Sequence, residues 1–130
     1  MIDALKTMLV GQDVLLIEDE TAISFLIEDM LAEMGAASVR HAARLDKAFA
    51  LIAAKLPTMA VLDVNVAGEL VFPVAEKLAE AKVPFIFMTG YGRGGVADRW
   101  AAYDVLQKPF TPAAMQAALR QLLTTAATTD

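Results

Sequence analysis

A chain of 130 residues is the length of one domain with room for a packed core. Its 11 Lys and Arg against 16 Asp and Glu leave a net charge of −5, which argues against a nucleic-acid partner, because phosphate contacts need a basic face. It has no cysteine for a disulfide scaffold or thiol chemistry, no apolar run as long as a membrane span and no signal-peptide start, so a cytoplasmic domain without a membrane partner is expected.

Residues 1–12 read as a leader, in which Ile2, Leu5 and Leu9 are spaced for a short amphipathic turn or a loose arm. The domain proper is expected over residues 13–123. Val14, Leu15, Leu16 and Ile17 form a continuous apolar run, as a strand buried on both faces would. Ile23, Leu26, Ile27, Met30, Leu31 and Met34 then recur at helical spacing, and Gly35 is a C-terminal stop. A weak second strand over 37–41 leads to a helix carrying Leu45, Ala48, Phe49, Ile52 and Leu56, which Pro57 ends. Residues 59–64 form the third strand; Phe72, Ala75, Leu78 and Ala79 share one face of the third helix. Pro84 opens the fourth strand at its first position, where proline is tolerated. Gly90, Gly92, Gly94 and Gly95 make the fourth helix start late and hold loosely. The fifth strand covers 103–107. Thr111 as N-cap and Pro112 at the first helical position begin the last helix, with Met115, Ala118, Leu119 and Leu122 inward; residues 124–130 are a frayed tail. Strict strand–helix alternation means an α/β fold, a five-stranded doubly wound parallel sheet.

Polar residues stand at the ends of these strands: Glu18 and Asp19 after the first, Asp63 at the third, Thr89 after the fourth and Lys108 after the fifth. Two acids, a lone acid, a hydroxyl and a lysine are the parts needed to hold a divalent cation, accept a phosphoryl group and neutralise it. With strand order 2-1-3-4-5, the first and third strands are neighbours at the topological switch point, where ligands bind. Carboxylates ~4 Å apart would repel by about 4 kcal/mol at an effective dielectric of ~20. Such a cluster asks for a cation, and Mg²⁺ (or Mn²⁺) suits its hard oxygen donors.

The order and spacing of these residues resemble the receiver domain of bacterial two-component response regulators, across nearly the whole chain. The resemblance implies a flavodoxin-like (βα)5 fold and roles residue by residue. Asp63 matches the phospho-accepting aspartate. Asp19 matches the direct metal ligand, Glu18 the outer one, and Asn65 the residue whose backbone carbonyl completes the metal set. Thr89 and Lys108 match the hydroxyl and the cation that meet phosphoryl oxygens, and Lys108 and Pro109 match a pair whose peptide bond is usually cis. The phosphodonor would be a sensor histidine kinase or a histidine phosphotransferase. The implied downstream protein target would meet the face of helix four, strand five and helix five, and a dimer is compatible with the family. Two features depart from the common pattern. Val105 replaces the aromatic side chain three residues before the lysine, and Phe87, Met88, Thr89, Gly90 and Tyr91 resemble a stand-alone subgroup with a Phe-X-Thr-Gly-aromatic motif.

Other residues carry less. His41, the only histidine, has no acidic neighbour in sequence and reads as a surface or packing residue. The glycines of 90–95 lack the lysine of a phosphate-binding loop. Trp100 and Tyr103 are either an interface hot spot or core at helical spacing three. The methionines fall on the helical stripes and read as core. Three functional classes stand: a phosphorylatable receiver, not an enzyme with an external substrate; a degenerate receiver that only binds partners; and an aspartate-nucleophile phosphatase of haloacid-dehalogenase type. That last family wants a second acid two residues after its nucleophile, where this chain has Asn65. No effector module is visible, so output by protein binding or a phosphorelay is expected.

Overall fold

A computed structural model of the chain describes residues 7–90, 96 and 98–128. Ile2, Leu5, Tyr91, Gly92, Gly94 and Gly95 lie outside the described residues. Five parallel strands form the central sheet: β1 (Asp13–Ile17), β2 (Ser38–Ala42), β3 (Met59–Asp63), β6 (Phe85–Thr89) and β7 (Val105–Gln107). Two short antiparallel strands, β4 (Asn65–Val66) and β5 (Glu69–Leu70), make a separate hairpin. The order in the main sheet is β2-β1-β3-β6-β7, the expected 2-1-3-4-5 once the hairpin strands are set aside. Every residue of β1, β3 and β6 is buried, as strands covered on both faces require.

The helices are α1 (Thr21–Glu33), α2 (Leu45–Ala54), α3 (Phe72–Glu80) and α4 (Pro112–Thr128). Because strand side chains alternate, the sheet divides its apolar residues between two cores. Val14, Leu16, Val61, Ile86 and Met88 join Ile27, Leu31, Met115 and Leu119 of α1 and α4. Leu15, Ile17, Leu62, Phe85 and Phe87 join Ala48, Ile52, Val74 and Leu78 of α2 and α3 on the other face. Gly35 stops α1 as expected: its φ is +92°, and the Ala36 N–H donates back to the Leu31 carbonyl at 3.2 Å. Thr111 caps α4 through its Oγ1, which accepts the Ala114 N–H at 3.1 Å. That helix runs on to Thr128, beyond the stretch of periodic apolar residues.

Between β6 and β7 the described residues show a 3-10 turn, Asp98–Trp100, where a fourth helix was expected. Trp100 is buried and packs with Phe72, Phe85, Phe87 and Tyr103, so the aromatic pair belongs to the core. The amino-terminal segment is tied in from Leu9 onward. Leu9 is fully buried, its N–H donates to the Met34 carbonyl at 2.8 Å, and the Ala37 N–H donates to the Gln12 carbonyl at 2.9 Å. Among the described residues no helix is long and apolar enough to cross a membrane.

Candidate functional site

The register of the sheet brings the strand ends level. Ile17 lies beside Leu62, Asp63 beside Met88, and Thr89 beside Gln107, so Glu18, Asp63, Thr89 and Lys108 form a row across four neighbouring strands. The Lys108 N–H donates to the Thr89 carbonyl at 2.9 Å, fixing the step from β6 to β7, and the Lys108–Pro109 peptide bond is cis.

Glu18, Asp19 and Asp63 each present a carboxylate oxygen within 4.8 Å of the others. Glu18 and Asp63 are buried; Asp19 is exposed. The Lys108 ammonium reaches in from β7 and donates to Glu18 Oε2 at 2.6 Å and to Asp63 Oδ2 at 3.2 Å. Glu18 Oε1 accepts the Glu20 N–H at 3.1 Å, so both oxygens of Glu18 are engaged. Among the described residues the electrostatics are unbalanced: the Lys108 ammonium faces three carboxylates. Burial first, then the Glu18 charge, pushes the Asp63 carboxyl up from an ordinary 3.8 to about 6, against the pull of Lys108. Burial works to depress the lysine, but the Glu18 hydrogen bond and the Asp63 charge outweigh it and raise Lys108 above its usual value.

Asn65 opens the hairpin, two residues past Asp63, and its Oδ1 accepts the Gly68 N–H at 3.1 Å. The hairpin ladder leaves its backbone carbonyl aside. In an antiparallel pair hydrogen-bonded positions alternate, and the Val71 N–H donates to the Val64 carbonyl at 2.9 Å. Val66 and Glu69, flanking the turn, are then the next bonded pair, and Asn65 lies between the two. Val105 sits beside Phe87 and packs partly against the aromatic cluster, with β6 between it and the strand that carries Asp63.

The structure adds two residues to those expected. The Ala67 N–H, in the hairpin turn, donates to Asp19 Oδ2 at 3.0 Å. His41 Nε2 lies 2.7 Å from the Glu18 carbonyl oxygen, which can only accept, so Nε2 carries the proton and buttresses the end of β1. The sequence offered a surface or packing role for His41; this bond to the Glu18 backbone was not expected. The turn at Ala67 had only the glycine after it as a signal.

The donor set suits a hard divalent cation. Three carboxylates converge with one ammonium among them, and an oxygen-seeking ion would meet charge that Lys108 alone does not balance. Residues 14–120 match the family "Response regulator receiver domain". The nitrogen assimilation regulatory protein NtrX of Azorhizobium caulinodans is 33% identical over 109 residues, 77% of this chain and 23% of that protein. The solution structure of SdrG from Sphingomonas melonis Fr1 is similar at 36% identity and a TM-score of 0.74, covering 86% of this chain and 96% of that one. The response regulator PhyR from Brucella abortus is similar at 26% identity and a TM-score of 0.73, covering 91% and 50%. The chain spans less than half the length of the curated relatives it matches.

Proposed function

The chain belongs to the response regulator receiver domain family, and on that premise we propose that it accepts a phosphoryl group on Asp63 from a phosphohistidine. The donor would be a sensor histidine kinase or a histidine phosphotransferase. Receiver domains are signalling modules that work through such kinases and downstream targets, so the reading needs no external substrate. The observation that carries it is the convergence of three carboxylates on a strand-end row, with Lys108 held between Glu18 and Asp63.

In this reading Asp19, Asp63 and the Asn65 carbonyl hold Mg²⁺ or Mn²⁺, with Glu18 outside them because both of its oxygens are already engaged. When bound, the ion screens the carboxylates from one another and neutralises charge on phosphoryl oxygens. The residues do the rest by position. An Asp63 oxygen attacks phosphorus in line as the bond to the imidazole nitrogen breaks and its electron pair leaves with the ring. Lys108 turns from its two carboxylates toward a phosphoryl oxygen, and the Thr89 hydroxyl donates to another. The nearest surface to respond is that of β7, the turn before it and α4, which would meet the downstream protein or the next member of a phosphorelay. A dimer through the same face is a compatible output.

Signal transmission is assigned to Thr89 and the segment behind it, because Val105 offers no aromatic ring to rotate. Trp100, the sole tryptophan, is in ring contact with Phe87, two residues before Thr89, and serves as a built-in reporter.

The test is incubation with a small acyl phosphate donor and Mg²⁺. Stable labelling should appear in the natural chain and vanish in Asp63→Ala, with the fold retained. Thr89→Ala should still be labelled but lose the accompanying change in Trp100 emission, whereas Val105→Tyr should keep it. Undiminished labelling of Asp63→Ala would remove the reading. Steady hydrolysis of unrelated phosphomonoesters would replace it with the phosphatase alternative.

A further inference from the structure

We infer that the β4–β5 hairpin is a positioning element for the cation site, with the Ala67 N–H fixing one oxygen of Asp19 and leaving the other for the ion; this rests on the cation reading above. The turn has two residues, Ala67 and Gly68, with φ of +52° and +85°. Positive φ at both central residues is the signature of a type I′ hairpin turn, and an alanine takes it only against a steric cost.

What holds that conformation is the candidate site itself. Asp19 Oδ2 accepts the Ala67 N–H, and Asn65 Oδ1 accepts the Gly68 N–H. Both acceptors are residues assigned to the metal set. The base of the hairpin is fixed to the core. Val66 and Val71 are fully buried, the Val71 N–H bonds the Val64 carbonyl, and the Val64 N–H bonds the Met88 carbonyl at 3.0 Å. Asp19 is exposed at the mouth of the site, and among the described residues it is the Ala67 N–H that bonds its carboxylate. The turn therefore brings a donor anchored to β3 and β6 to a side chain two residues past the end of β1. A carboxylate with one oxygen already directed loses less freedom when the other meets an ion, the same benefit that partners of metal ligands confer elsewhere. By linkage the effect is reciprocal: an ion on Asp19 must tighten the turn.

Two hairpin variants push in opposite directions without touching the acids. In Gly68→Val the new Cβ meets no atom within 4 Å, and the change puts a β-branched residue at a positive φ, where it is strained. It should weaken Mg²⁺ binding about tenfold, the loss typical when a partner of a metal ligand is disturbed. Ala67→Gly keeps the N–H and eases the turn, so it should bind Mg²⁺ at least as tightly as the natural chain. Amide exchange gives a readout that does not require the ion. Asp19→Ala, which removes the acceptor, should speed exchange at Ala67 in cation-free buffer and leave β1 and β3 protected, and Mg²⁺ should slow the same amide in the natural chain. Natural Mg²⁺ affinity in Gly68→Val, or unchanged Ala67 exchange in Asp19→Ala, would overturn the inference. A natural chain that ignores tens of millimolar Mg²⁺, while Asp19→Ala still loosens Ala67, would overturn it through its premise, the cation site, and not through the hairpin contact.

Discussion

The two ends of the sheet bury charge in opposite ways. At the amino ends of the strands, Asp13 is nearly covered and meets a matched partner. Arg40 Nη2 and Nε donate to its two oxygens at 2.9 and 3.2 Å, and Ser38 Oγ adds a third bond at 2.8 Å. The same guanidinium donates to the Leu51 and Lys55 carbonyls at the end of α2, both at 2.8 Å, where the helix dipole favours a cation. Burial alone would raise the Asp13 carboxyl, but the Arg40 and Ser38 bonds outweigh it, and the value is lowered. At the carboxyl ends, Glu18, Asp19 and Asp63 share, among the described residues, the charge of Lys108, and Asp63 rises to about 6. One end is closed and the other is left short of positive charge. The first ties β1, β2 and α2 together; the second leaves carboxylate charge that Lys108 alone does not balance.

Breaking the closed end should have the largest effect. Arg40→Ala strands a buried carboxylate and should cost about 3–4 kcal/mol in a urea melt at pH 7. Because the folded value of Asp13 is lowered, its stabilisation is present above an ordinary 3.8 and is lost as pH falls through the folded value. The penalty of Arg40→Ala should therefore shrink in acid.

The open end should respond with the opposite sign. Asp63 is raised in the folded state, so its contribution is fully present below 3.8 and is lost as pH rises through about 6. At pH 7 without divalent ions its charge opposes folding, and Asp63→Asn should stabilise the domain by about 2 kcal/mol, with ~3 as a ceiling. That gain should disappear below pH ~4, read by melts across the range. Mg²⁺ should supply the missing charge instead. A tenfold excess over its Kd should stabilise the natural chain by about 1.4 kcal/mol, and Asp19→Ala should remove most of the gain.

The smallest effect lies just ahead of β6, at neither of these charge clusters, and calibrates both. Lys82 closes α3 with φ of +60°, and the Val83 N–H donates back to the Leu78 carbonyl. Lys82→Gly relieves that conformation and should add about 0.5–1 kcal/mol with no dependence on pH across the range of these melts.

The open end was legible in the sequence because its logic is local. Apolar runs over β1, β3 and β6 are unbroken, and each is followed at once by Glu18, Asp63 or Thr89, so strand and site announce one another. The stop at Gly35 and the start at Thr111 follow from the chemistry of residues within a few positions. The closed end was invisible, since Asp13 and Arg40 are 27 residues apart and only the parallel register of β1 and β2 brings them together. The hairpin was also missed. Its strands have two residues each, and alanine at a positive-φ position carries none of the Asn-Gly or Asp-Gly signal of such turns. Leu9 looked like part of a leader because three spaced apolar residues cannot show what they cover.

The central claim is that charge at the carboxyl end is uncompensated until an ion arrives. It is tested most directly by following the Asp63 side-chain carboxyl by carbon NMR through a pH titration, with and without Mg²⁺. The account predicts a midpoint near pH 6 in cation-free protein and a clear fall when Mg²⁺ is added. A midpoint at the ordinary carboxylate value without ions, or one that Mg²⁺ does not move, would contradict it.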